Sequence, residues 1–223
     1  MIELLDLRQT LQAFAACNDN YGVSRSFGWV HATDGDPMQA RFWLPPDEDA
    51  AFDDDGEVPT EARALGLHEY LEPGTFAGVL FVQKRQRPLS TLAEYAKALE
   101  HYCEYDAFLE VKGVDEALGE ATAADRLAAR YAGVGADIFM SFDLWLLAYA
   151  DDQLKAAAQC VARLHEVPVG EALARCRALP LLVGEALDRN RAQAIKDDFE
   201  AIGATVQVHG FKPFPWMDAP VLR

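Results

Sequence analysis

DLWLLAYADDQLKAAAQCVARLHEVPVGEALARCRALPLLVGEALDRNRAQAIKDDFEAIGATVQVH, residues 143–209, decides the fold of the last third of the chain. Residues 144–149 are continuously apolar, as expected of a buried strand. Leu154, Ala158 and Val161 recur at helical spacing. Pro168 restarts the chain into a short helix with Val169, Leu173 and Cys176 inward, and Pro180 ends it. Residues 181–183 read as a second strand. Asp188 stands where an N-cap belongs, and Ala192, Ile195, Phe199 and Ile202 form the apolar stripe behind it. Gly203 falls where a left-handed C-cap is wanted, and residues 205–209 alternate with Val206 and Val208 on the core face. The order is strand, helix, helix, strand, helix, strand in about 65 residues, a size at which a single core is feasible but marginal.

Working outward, Leu4, Leu7, Leu11 and Phe14 predict an amphipathic first helix that ends before the turn residues 18–22. Residues 27–31 and 41–44 read as aromatic strands around the turn Asp34-Gly35-Asp36-Pro37, with Trp29 and Trp43 in the strand core. A short helix begins near Pro59 and runs through Ala64. Residues 76–83 read as a compact apolar strand. Ser90-Thr91 caps a helix to about Phe108, with Leu92, Tyr95, Ala96, Leu99 and Tyr102 or Cys103 on one face. The Ala-rich stretch 112–131, closed by Gly133-Val134-Gly135, reads as a helical connector.

The 223-residue chain is half apolar, which supports a real core, and carries a net charge of −16. Residues 1–110 hold 20 acidic and 8 basic side chains, against 16 and 12 in residues 111–223. Such a surface repels phosphate backbones, so neither DNA nor RNA is an expected partner; a cationic protein would be steered toward it. No apolar run reaches the about 18 residues of a membrane span. The start MIELLDLRQ has no basic segment followed by an apolar one, and the expected location is the cytoplasm. Cys17, Cys103, Cys160 and Cys176 are far apart and form no C-x-x-C pair, as buried reduced thiols do.

The final helix, glycine and strand, Phe199-Glu200-Ala201-Ile202-Gly203-Ala204-Thr205-Val206-Gln207-Val208, with Leu181-Leu182-Val183-Gly184 before a capped helix, resembles the C-terminal domain of the bacterial ribosomal stalk protein and the related fold of the Clp protease adaptor. The likeness implies a three-stranded antiparallel sheet with three helices on one face. The stalk family recruits translation factors through lysines on its first two helices; the matching positions here are Gln159, Gly170 and Leu173, which argues against carrying that function over. In the first half, Pro59-Thr60-Glu61-Ala62, Gly66-Leu67 and the passage 98–109, ALEHYCEYDAFL, resemble small bacterial domains found among immunity proteins of toxin systems. That resemblance implies a toxin-binding role and agrees with the charge.

Seven carboxylates fall in eleven residues: Asp47, Glu48, Asp49, Asp53, Asp54, Asp55 and Glu57. They form either a solvated loop or a docking surface that mimics nucleic-acid phosphates for a basic toxin; the spacing is wrong for an EF-hand. His101 and Cys103 are two apart on a helix and do not converge, so Cys103 is expected in the core and His101 on the surface. Cys160 and His165, five apart, are equally poor for a shared metal. Gly133-Val134-Gly135 lacks the third glycine of a dinucleotide site, and no H-E-x-x-H, G-x-S-x-G or P-loop occurs. No catalytic residue, metal site or cofactor is therefore assigned. The aromatic tail around Phe211, Phe214 and Trp216 is expected to pack back on the small C-terminal sheet, since large aromatics left in water are a liability.

The expected fold class is α+β: a mixed acidic domain over residues 1–111, a helical connector over 112–136, the stalk-like domain over 137–210 and a tail over 211–223. The expected function is a cytoplasmic immunity protein that binds and occludes a cationic toxin, without turnover. The alternative is an adaptor that uses the stalk-like domain in translation or proteolysis; an unrecognised enzyme comes third.

Overall fold

The computed structural model describes residues 2–46, 58, 60–114 and 119–222. The chain is α+β and divides into two units, Met1–Phe139 with Pro213–Met217, and Met140–Lys212 with Asp218–Arg223. Among the described residues no helix is long and apolar enough to cross a membrane.

In the first unit, α1 (Leu7–Ala16) starts at a capping box in which Asp6 accepts from the Gln9 amide at 2.8 Å and the Gln9 side chain accepts from the Asp6 amide at 2.9 Å. Its buried face is Leu7, Leu11, Phe14 and Ala15. After α2 (Asn20–Ser26) come β1 (Val30–Thr33) and β2 (Phe42–Trp43). Then follow α3 (Thr60–Ala64), β3 (Leu67–Leu71), α4 (Pro73–Gln86), α5 (Leu92–Tyr105) and α6 (Ala123–Tyr131). The sheet order is β2-β1-β3, antiparallel throughout, with His31 opposite Trp43 and Ala32 opposite Phe42. Trp29 and Trp43 are half-buried rather than core. The fully buried neighbour is His31, whose ring stacks on Trp43 at 5.1 Å and whose burial holds its pKa below the ordinary value.

Residues 76–83, expected as a strand, belong instead to α4. Pro73 occupies the first helical turn, and Phe76, Ala77, Val79, Leu80, Gln83 and Lys84 are all buried. A helix covered on most sides reads as a continuous apolar run, which periodicity alone does not separate from a strand. Phe76 stacks on Phe14 at 4.7 Å and meets Phe42 edge-on at 6.3 Å, so α1, α4 and the sheet share one core.

The stretch expected as a connector belongs to the first unit, and its helix is confined to α6. Glu120 pairs with Arg85 of α4 and with Arg126 of α6, while the Ala121 amide donates to the Arg85 carbonyl at 2.9 Å.

The second unit has the expected order: β4 (Ser141–Ala148), α7 (Leu154–His165), α8 (Val169–Cys176), β5 (Leu181–Leu187), α9 (Arg189–Ala201) and β6 (Thr205–Phe211). Its sheet runs β5-β4-β6, antiparallel. Asp188 caps α9 through the Arg191 amide at 2.9 Å, and Gly203 has φ +72°. Val169, expected inward, is 44% exposed, while Ala172 and Cys176 take the inner positions of α8. Asp143, buried on β4, accepts from the Ala186 amide at 2.9 Å, and this bond secures a left-handed residue (φ 49°) where the β4–β5 register shifts.

The expected packing of the tail on the small sheet is overturned. Residues 213–217 belong to the first unit, where Phe214 is fully buried, edge-on to Tyr95 at 5.1 Å and stacked on Trp216 at 5.1 Å. Arg8 of α1 lies over the Trp216 ring at 5.9 Å. The first unit's core is left open toward Tyr95 by its own elements, and these two aromatics fill it.

Candidate functional site

The passage 98–109 forms the second half of α5 and the chain just past it. Thr91 and Glu94 make a capping box at the start of the helix, and Tyr95, Ala96, Ala98 and Leu99 face the core. The opposite face and the far end are exposed: Glu100, Cys103, Glu104, Tyr105, Asp106 and Phe108. Tyr105 is 60% and Phe108 46% exposed. The Tyr102 and Phe108 rings are 5.3 Å apart and those of His101 and Tyr105 4.7 Å, so the aromatics form two ring pairs at a helix end that also carries Glu100, Glu104 and Asp106.

This placement runs against helix stability. The C-terminal end of a helix carries partial negative charge and favours cations. The last turn of α5 has no basic residue, and Glu104 and the cap Asp106 sit there instead. Asp106 is itself left-handed, φ 49° and ψ 39°, where glycine is the less strained choice. Asp106 beside the Tyr102 hydroxyl and Glu104 beside that of Tyr105 hold both phenols above their usual pKa, so both stay protonated donors.

Cys103, expected in the core, is exposed. The physical reason is that α5 turns its Tyr95 and Leu99 stripe inward, and Cys103 falls outside it, beside the Tyr70 hydroxyl. Burial of its sulfur raises the Cys103 pKa, and burial likewise raises those of Cys17, Cys160 and Cys176. An activated thiol shows the reverse shift. Among the described residues no group of three His, Cys, Asp or Glu side chains is placed to hold a metal. His165 is engaged by Arg175 at 3.0 Å and by the Val183 carbonyl at 3.3 Å.

The seven carboxylates Asp47, Glu48, Asp49, Asp53, Asp54, Asp55 and Glu57 lie outside the described residues. What the sequence alone left unread is the exposure of Tyr105 and Phe108. The signal was present in the quoted passage, as aromatics and carboxylates crowding one helix end without a single cation.

A second exposed place is on the second unit. Trp145 and Leu147 of β4, with Pro180, Gln207 and His209, line a shallow pocket of about 300 Å³ on its sheet. Leu147 is 38% exposed there.

No curated protein matches the chain. Residues 36–111, which include β2, β3, α4 and the whole acidic aromatic end of α5, are similar to a domain of unknown function, DUF7716.

Proposed function

We propose that the protein is an immunity-type binding protein that acts in the cytoplasm and neutralises a cationic partner, a bacterial toxin, by covering its working surface. One observation carries the reading: α5 ends in exposed Glu100, Glu104, Tyr105, Asp106 and Phe108 with no basic residue in its last turn. Carboxylates placed against the helix dipole weaken the fold locally, and a compensating gain is expected elsewhere. The tyrosine and phenylalanine would anchor the contact, and the charge of the first 110 residues, 20 acidic against 8 basic, would steer encounter. Seven of those 20 acids are the carboxylates of residues 47–57. Nothing in this role needs a cofactor or turnover. The test is growth rescue: cells expressing a toxic basic protein encoded beside this gene should survive when the chain is co-expressed and die when it carries Tyr105→Ala and Phe108→Ala. Equal survival with the variant would remove α5 from the contact.

The pocket at Trp145 and Leu147 supports a second reading, an adaptor that grips a peptide with its stalk-like unit. Co-sedimentation with ribosomes or a Clp chaperone, lost on Trp145→Ala, separates it from the first.

A further inference from the structure

The segment Pro213–Met217 is entered from Lys212 and left through Asp218, and both of those residues belong to the second unit. It is therefore a loop carried by that unit, with two feet. The first foot is β6, where Gly210 and Phe211 pair with Phe142 and Ser141 of β4. The second foot lies against the first: the Pro220 carbonyl comes so close to Gly210 that a Cβ there would overlap its oxygen. Only glycine at 210 permits that approach. The Val221 carbonyl accepts from Arg189 of α9 at 3.4 Å, the same guanidinium lies 5.7 Å from the centre of the Phe142 ring, and Leu222 packs on the second unit's core. Between the feet the loop is stiff. Pro213 and Pro215 each fix a φ angle, and the Met217 amide donates to the Phe214 carbonyl at 3.1 Å.

The tip of the loop enters the first unit's core at a cost. Lys84 is fully buried there, donating to the Pro213 carbonyl. Neither the Tyr95 hydroxyl nor the Trp216 indole N–H has a hydrogen-bond partner among the described residues. Each of these polar groups gives up water without full replacement. The apolar contacts of Phe214 and Trp216 have to offset those losses together with the entropy of ordering the segment. A loop that is already shaped, and fixed at both feet, has lost most of that freedom before it docks.

We propose that this loop is a clasp through which the second unit sets the stability of the first: Gly210, Arg189 and Leu222 hold its feet, and loosening them releases Phe214 and Trp216 from the first unit's core. The clasp does not rest on the toxin reading. Native-state hydrogen exchange on the full chain reads the two units separately. Gly210→Ala pushes the Pro220 carbonyl away, and Leu222→Ala is the milder change that carries the test should the first variant not fold. Each folded variant should speed exchange at the Leu80 and Leu99 amides, both in the first unit, about tenfold or more. Val161→Ala, a buried change on α7 outside the feet, should speed exchange within the second unit and leave Leu80 and Leu99 within about twofold of the wild type. Faster exchange confined to the second unit in the foot variants, or equal acceleration of Leu80 and Leu99 by Val161→Ala, would overturn the proposal.

Discussion

The ammonium of Lys84, fully buried on α4, donates to the carbonyl of Pro213, 129 positions further along the chain. Its Nζ also lies 5.5 Å from the centre of the Phe214 ring. The chain thus leaves the first unit, builds the second, and returns to complete the first unit's core.

Ending the chain at Lys212 should therefore unfold the first unit, although residues 1–139 supply all the strands and helices found among its described residues. Phe214→Ala is the milder version and should cost about 3–5 kcal/mol, as expected for removing a fully buried aromatic. Urea denaturation checks both. A loss under about 1 kcal/mol for Phe214→Ala would mean that the segment only rests on the unit.

Burial lowers the Lys84 pKa from 10.5 to about 7, against the opposing pull of Asp137. Below about pH 7 the folded and unfolded chains both carry the proton, and the folded state bears the full penalty of a buried charge. Above it the unfolded chain alone keeps the proton up to about 10.5, so this residue's contribution rises with pH. Tyrosines and cysteines with raised pKa oppose the trend at the alkaline end, so the comparison is made against Lys84→Met. Between pH 7 and 9 the wild type should gain about 2 kcal/mol relative to that variant. A constant difference would show that Lys84 keeps one protonation state throughout.

At the end of α5, stability and binding should move in opposite directions. Glu104→Gln removes a charge that opposes the helix dipole and should stabilise by about 0.3–1 kcal/mol. Asp106→Gly relieves a left-handed residue and should stabilise by a comparable amount, about 0.5 kcal/mol. Thermal melts read both. Destabilisation by either change would mean that these carboxylates serve the fold.

Exposed as it is, Cys103 should alkylate with iodoacetamide more slowly at neutral pH than free cysteine, because its pKa is raised. A faster reaction would reopen a nucleophilic role for this thiol.

Much of the second unit was legible because its boundaries are marked by local chemistry. Asp188 before α9 and Gly203 after it do in the structure what their residue types suggest. Where burial replaced periodicity the reading failed. Residues 76–83 are apolar on nearly every side because α4 lies between other elements, and they read as a strand. The fate of Phe214 and Trp216 was illegible for another reason: their partners Tyr95 and Arg8 are over a hundred positions away, and no local pattern encodes that contact. Tyr105 and Phe108 stood in a passage recognised for its resemblance, yet only the phase of α5, set by Tyr95 and Leu99, shows which side is exposed.

The toxin-binding account is tested most directly by stopped-flow association of the full chain with a basic toxin from whose killing it rescues cells, measured across salt concentrations. Replacing Glu100, Glu104 and Asp106 with Gln, Gln and Asn should lower the low-salt on-rate about tenfold and flatten its salt dependence. An on-rate and salt slope equal to those of the wild type would contradict the account.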